Sequence, residues 1–96
     1  MRVRIKWLRK ALDNMDQAYD YLASENPAAA IGFAAEIEMA LEQLQQFPSS
    51  GRPGRVPGTR ELIIPRYHFL IPYRVQGNEI QILRVFSTYQ KPPANW

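Results

Sequence analysis

The sequence predicts one α+β domain over residues 1–96: an N-terminal strand, an antiparallel helical hairpin, then a three-stranded antiparallel meander that completes one sheet. Three observations predict it. Apolar residues alternate with period two over residues 2–7, and then recur every three or four positions as far as residue 46. A Ser-Glu-Asn-Pro break at residues 24–27 splits that helical stretch in two. After residue 59, three β-type runs follow one another with turn residues between them.

In residues 2–7, Val3, Ile5 and Trp7 point one way and Arg2, Arg4 and Lys6 the other, which is a half-buried strand with a cationic face. From Leu8 onward, Ala11, Leu12, Met15, Ala18, Tyr19 and Leu22 continue an apolar helical stripe. Asp13, Asp16 and Asp20 lie off that stripe, on what reads as a solvated face and not a metal site. Asn26 has the chemistry of an N-cap, and Pro27 suits a first helical position, where its missing N–H had no partner to lose. The second helix should reach about Gln46, with Ala30, Phe33, Ala34, Ile37, Leu41 and Leu44 buried. A short link between two long helices implies an antiparallel pair.

Residues 49–59 form a loop punctuated by Gly51, Pro53, Gly54, Pro57 and Gly58. Strands are expected at 60–64, 67–75 and 79–86, with a turn at Pro65-Arg66 and a hairpin at Gln76-Gly77-Asn78. Pro72 cannot donate to a ladder, so it marks an edge or a bulge. The last strand is apolar on both faces and is expected to be central.

The chain has no cysteine and one histidine, which excludes a disulfide framework and argues against structural zinc; no cofactor is expected. No apolar run approaches the roughly 20 residues that span a bilayer, and no signal-peptide pattern opens the chain, so a cytoplasmic protein is expected. The net charge of +3 conceals a segregation. Residues 11–46 carry seven acids and no Lys or Arg, while the rest carries twelve basic residues and two acids. A basic surface for a polyanionic or acidic partner is the expected consequence. Its core is the segment 51–93, with Arg52, Arg55, Arg60, Arg66, Arg74, Arg84 and Lys91 against Glu61 and Glu79. Arg84 stands out, because an arginine inside an apolar strand must be paired or must face a groove. By alternation, His68 shares a strand face with Leu70, Pro72 and Arg74. Arg52 and Arg55 sit among glycines, where backbone N–H groups can approach an anion, but the loop lacks the Gly-Lys-Ser/Thr ending of a P-loop.

The pieces GRPGRVPGTREL, PYRV and ILRVF, followed by a short Lys/Pro tail, resemble the RelE/ParE superfamily of bacterial toxins in order and spacing. The resemblance covers the whole chain. It implies the toxin half of a type II toxin–antitoxin pair, growth-inhibiting and neutralised by a cognate antitoxin. RelE-type members cut mRNA at the ribosome without a metal, using Lys and Arg on the phosphate with Tyr or His for proton transfer. ParE-type members lack that set and poison DNA gyrase.

Against the nuclease pattern, this chain offers Arg60, but Glu61 follows it, and Leu70 falls where a second catalytic arginine is expected. Many relatives read Arg-Val-x-His after the last strand, whereas this chain reads Arg84-Val85-Phe86-Ser87. Serine cannot buffer protons near neutral pH. A gyrase poison is therefore the first reading. The alternative is a ribosome-dependent endoribonuclease using Arg84, Tyr89, Ser87, Arg60 and His68, attenuated by the serine. In either case Arg52, Arg55, Arg66, Arg74 and Lys91 are the expected contacts to nucleic acid or target, and the tail ending at Trp96 is a further candidate.

Overall fold

The computed structural model describes residues 3–89 and 96. Its elements run β1 (Arg4–Trp7), α1 (Arg9–Glu25), α2 (Pro27–Gln46), β2 (Arg52–Pro53), β3 (Arg60–Ile64), a 3-10 turn (Pro65–Tyr67), β4 (Phe69–Gln76), β5 (Glu79–Ile82) and β6 (Phe86–Ser87). The sheet order is β1-β5-β4-β3-β2, with β6 continuing alongside β4 after β5 ends. β1 lies parallel to β5, and the other pairings are antiparallel. This is the expected α+β plan, with β5 an interior strand between β1 and β4, and β4 in the middle of the order.

The helical break forms as its chemistry dictates. Asn26 ends α1 and caps α2, its Oδ1 accepting from the Ala28 N–H at 3.0 Å, with Pro27 opening the helix. α2 buries Ala30, Phe33, Ile37, Leu41 and Leu44 against Ile64, Phe69, Ile71, Tyr73, Ile80, Ile82 and Val85 from the sheet. Each large side chain fully buried there contributes roughly 1.5–3 kcal/mol. α1 buries less. Only Ala11 is fully enclosed, and Leu12 and Tyr19, expected in its stripe, are exposed at the margin of the core.

The strand expected over 79–86 is interrupted. Tyr73 pairs with Ile82, and Leu70 pairs with Phe86, so Ile71 and Pro72 face three residues, Leu83, Arg84 and Val85. That is a one-residue bulge. The Pro72 carbonyl accepts from the Leu83 N–H at 2.9 Å, so the proline nitrogen points toward the bulge, where a strand N–H would have least to bond. Pro72 thus sits in an interior strand, opposite a bulge and not at an edge.

His68 departs from the expected strand face. It occupies the left-handed region (φ 60, ψ 50) at the end of the 3-10 turn and is exposed. Its carbonyl accepts from both the N–H of Thr88 (2.7 Å) and the hydroxyl of Thr88 (3.1 Å), which ties this turn to the segment after β6. At the next hairpin the two-residue loop Gly77-Asn78 has Gly77 at φ 60, the positive value that primed hairpin turns need.

Candidate functional site

The bulge aims Arg84 away from the sheet ladder and toward α1. Its Nε donates to Asn14 Oδ1 at 2.8 Å, and the same oxygen accepts from the Val85 N–H at 3.1 Å. Asn14 therefore supplies the acceptor that the broken ladder lacks. One Arg84 Nη donates to the Trp96 carbonyl at 3.3 Å, and the guanidinium lies 4.5 Å from the centre of the Phe86 ring. Neither Glu61 nor Glu79 is its partner. Asn14→Ala should strand two donors and cost about 1–2 kcal/mol. A thermal melt should show this as a loss of roughly 4–16 °C in Tm.

Arg84, Ser87 and Tyr89 line one cleft of about 670 Å³ between α1 and β6, with Asn14, Gln17 and Tyr21 on its helical wall. No histidine or carboxylate lines it among the described residues. Ser87 Oγ accepts from the Tyr89 N–H at 3.2 Å, which engages one lone pair of the hydroxyl. Tyr89 is 79% exposed and packs against His68, with ring centroids 4.8 Å apart and the rings tilted by 43°. The structure thus gathers four of the expected residues: Arg84, Ser87 and Tyr89 in the cleft, and His68 at its rim.

The others lie elsewhere. Arg60 donates to the Gly51 carbonyl at 2.8 Å and pairs in register with Tyr73, on the sheet face that meets the helices. Arg66 is exposed, with a loose 3.8 Å pairing to Glu36. Arg74 lies on the opposite sheet face, its Nε held by Gln81 Oε1 at 2.6 Å. Lys91 lies outside the described residues.

Arg52 and Arg55 have a partner within the chain. Glu61 is only 3% exposed, and its Oε1 receives Arg52 Nη at 2.9 Å. Its Oε2 receives the Arg55 N–H at 3.1 Å and Arg55 Nε at 3.3 Å. The loop rich in Gly, Pro and Arg does embrace an anion, and the anion is the chain's own carboxylate. Burial pushes the Glu61 carboxyl up, but the Arg55 amide and the two guanidinium groups together hold it below the usual range. Its charge is therefore compensated, and it does not confront a ligand as the bare repulsive group its sequence position suggests.

The same loop is pinned from beneath. Fully buried Tyr73 accepts from the Gly51 N–H at 2.9 Å and donates to the Pro48 carbonyl at 2.8 Å. Thr59 Oγ1 accepts the indole N–H of Trp96 at 3.1 Å, and Arg55 lies 5.5 Å from the centre of that ring. Sequence reasoning missed Asn14, since one asparagine on a polar helix face carries no signal for a contact 70 residues away.

This arrangement of strand, helical hairpin and bulged sheet is that of the RelE/ParE toxins. A family model described as the ParE toxin of the type II toxin-antitoxin system, parDE, matches residues 5–92, and the chain belongs to this family, as a toxin of a type II toxin–antitoxin system. A relative named "Putative toxin Y4kP" from Sinorhizobium fredii is 38% identical over 92 residues, covering 96% of this chain and 95% of that protein. Toxin RelE1 of Caulobacter vibrioides is 34% identical over 68 residues, covering 69% of this chain and 72% of that one. Among solved structures, the chromosomal ParDE system from P. aeruginosa matches with a TM-score of 0.77 at 39% identity, over 88% of this chain and 94% of that one. The RelBE2 toxin–antitoxin complex from Mycobacterium tuberculosis shares the fold, with a TM-score of 0.64 at 21% identity, over 88% of this chain and 96% of that one.

Proposed function

We propose that this toxin stops growth by poisoning DNA gyrase through binding, without cleaving mRNA, and that a cognate antitoxin neutralises it. The observation that carries this reading is the chemistry of the cleft. Metal-free phosphodiester cleavage needs a proton acceptor and a donor flanking the phosphate, with cations to hold it. The cleft offers one guanidinium, Arg84, whose Nε is on Asn14 and one Nη on the Trp96 carbonyl, and a serine hydroxyl that accepts from the Tyr89 amide. The likeness to the ParDE toxin–antitoxin system supports the same reading and the antitoxin partner.

One contact favours the endoribonuclease alternative. His68 and Tyr89 pack together at the cleft rim and offer an imidazole and a phenol for proton transfer, with Arg84 as the cation. Induction of the chain in bacteria, with mapping of mRNA 5′ ends by primer extension, separates the two. Growth arrest with intact mRNA is expected, and Arg84→Ala should relieve the arrest at least tenfold in viable counts. Cleavage at codon-spaced sites that disappears in His68→Ala would overturn the proposal. If only Ser87→His confers toxicity, the chain is an attenuated member of its family, and the proposal fails for the chain as it stands.

A further inference from the structure

A second cavity, of about 470 Å³, opens where the start of α1 meets the sheet face turned away from the helices. Arg9, Lys10 and Arg74 line it with Thr59, Leu83 and Trp96. Its size is in the range of small-ligand sites. None of the three cations has an ion-pair partner among the described residues. This contrasts with Arg52 and Arg55, whose charge Glu61 offsets.

Their positions are costly for the folded chain alone. Arg9 and Lys10 occupy the first turn of α1, beside the positive end of the helix dipole, where acids are favoured, and no acid is present there. Gln81 fixes Arg74 through Nε, which leaves its terminal nitrogens for another acceptor. On the same sheet face exposed Lys6 is in register with Gln81, which in turn is in register with Arg74, while Glu79 beyond them accepts from Gln81 and faces Arg4 at 4.0 Å. The remaining wall is Leu8, Val56 and Leu83 with the Trp96 indole, which its hydrogen bond to Thr59 orients and which also meets Arg55 and Phe86 on its way to the cavity edge. Three uncompensated cations beside an aromatic wall match a phosphate carrying a planar base, because guanidinium groups fit phosphate oxygens and every base can lie against an indole.

From this we infer that the cavity binds a phosphodiester of a nucleic-acid strand, with Arg9, Lys10 and Arg74 on the phosphate and Trp96 against the adjoining base. The inference goes beyond the gyrase reading and does not depend on it, since a strand can bind here whether or not supercoiling is blocked. DNA and RNA share the phosphodiester, so both are probed.

The test is fluorescence anisotropy with the full chain made by cell-free synthesis, using labelled 12-nucleotide single strands of DNA and of RNA. Arg9→Gln and Arg74→Gln should each weaken binding about fivefold, and Arg4→Gln, which removes a charge from the same sheet face outside the cavity, less than twofold. In NMR spectra the Trp96 indole N–H signal should move on titration with the oligonucleotide. A preference for either strand names the source of the phosphate and supports the site. The inference is overturned if neither strand binds, if Arg4→Gln costs as much as the cavity variants, or if polyglutamate competes as well as the oligonucleotide at equal charge. Should Arg9→Gln or Arg74→Gln prove poorly folded, exposed Lys10→Gln carries the same expectation of weakened binding, and unchanged affinity there counts against the site.

Discussion

Replacing Arg52 and Arg55 together by alanine should lower Tm by more than about 12 °C. The reason is Glu61, which is 3% exposed and loses both guanidinium partners in that variant. A buried carboxylate without its cations costs about 3 kcal/mol or more. In a domain of this size that corresponds to roughly 12–24 °C. Either single replacement should cost well under half as much, because the remaining arginine and the Arg55 amide still hold the carboxylate. The pH dependence follows with a definite sign. Glu61 is held below its ordinary value of 4.5, so between its folded and unfolded values the unfolded chain binds more protons. Its contribution is fully present above about pH 4.5 and is lost as pH falls through the folded value. In Glu61→Gln this part of the acid-side slope should vanish, which urea melts between pH 3 and 6 would read directly.

Gly51→Ala should be nearly as damaging, at roughly 2–4 kcal/mol. A β-carbon at Gly51 would lie 2.5 Å from the Tyr73 hydroxyl, 2.7 Å from its Cε1 and 3.0 Å from the Glu61 carbonyl oxygen. The ring cannot yield, because Tyr73 is fully buried between the sheet and α2. The methyl group also displaces the hydroxyl that bonds the Gly51 N–H and the Pro48 carbonyl. Tyr73→Phe removes that hydroxyl without the clash and should cost about 2 kcal/mol. In the double variant the two losses should sum to less than their separate values, since part of the collision is gone. Burial raises the Tyr73 phenol above its usual 10.0, so between the unfolded and folded values the native state binds more protons and stability falls as pH rises past about 10.

The elements were legible where local chemistry specifies them. Asn26-Pro27 marks its own helix boundary, and β3 occupies residues Arg60–Ile64 as its apolar run predicts. The α2 stripe reads correctly at every position but Ala34, which is half-buried, because 3.6-residue periodicity over five turns admits one buried face. What failed to read through depends on contacts between distant segments. The bulge at Leu83–Val85 follows from a three-against-two register opposite Pro72, and apolar residues on both sides hide it. His68 looks like a strand residue beside Phe69, but the short 3-10 turn places it in the left-handed region, which sequence alternation cannot detect.

Site residues divide along the same line. Arg84 was legible as an anomaly, a charge in an apolar strand, although its partner Asn14 was not. Arg52 and Arg55 read as free cations because basic side chains in a glycine-rich loop suggest an external anion. Glu61, alone among neighbouring arginines at the start of β3, was the signal that the anion is internal. Arg9 and Lys10 blended into an amphipathic helix start, and only the fold sets them beside Arg74 and Trp96.

The most direct test of the central claim is a supercoiling assay with purified gyrase, relaxed plasmid and the chain released from its antitoxin. Inhibition at stoichiometric toxin, reversed when the antitoxin is added back, is the expected result. Full supercoiling at a large excess of a folded chain that still arrests growth would contradict the account and move the target to the ribosome.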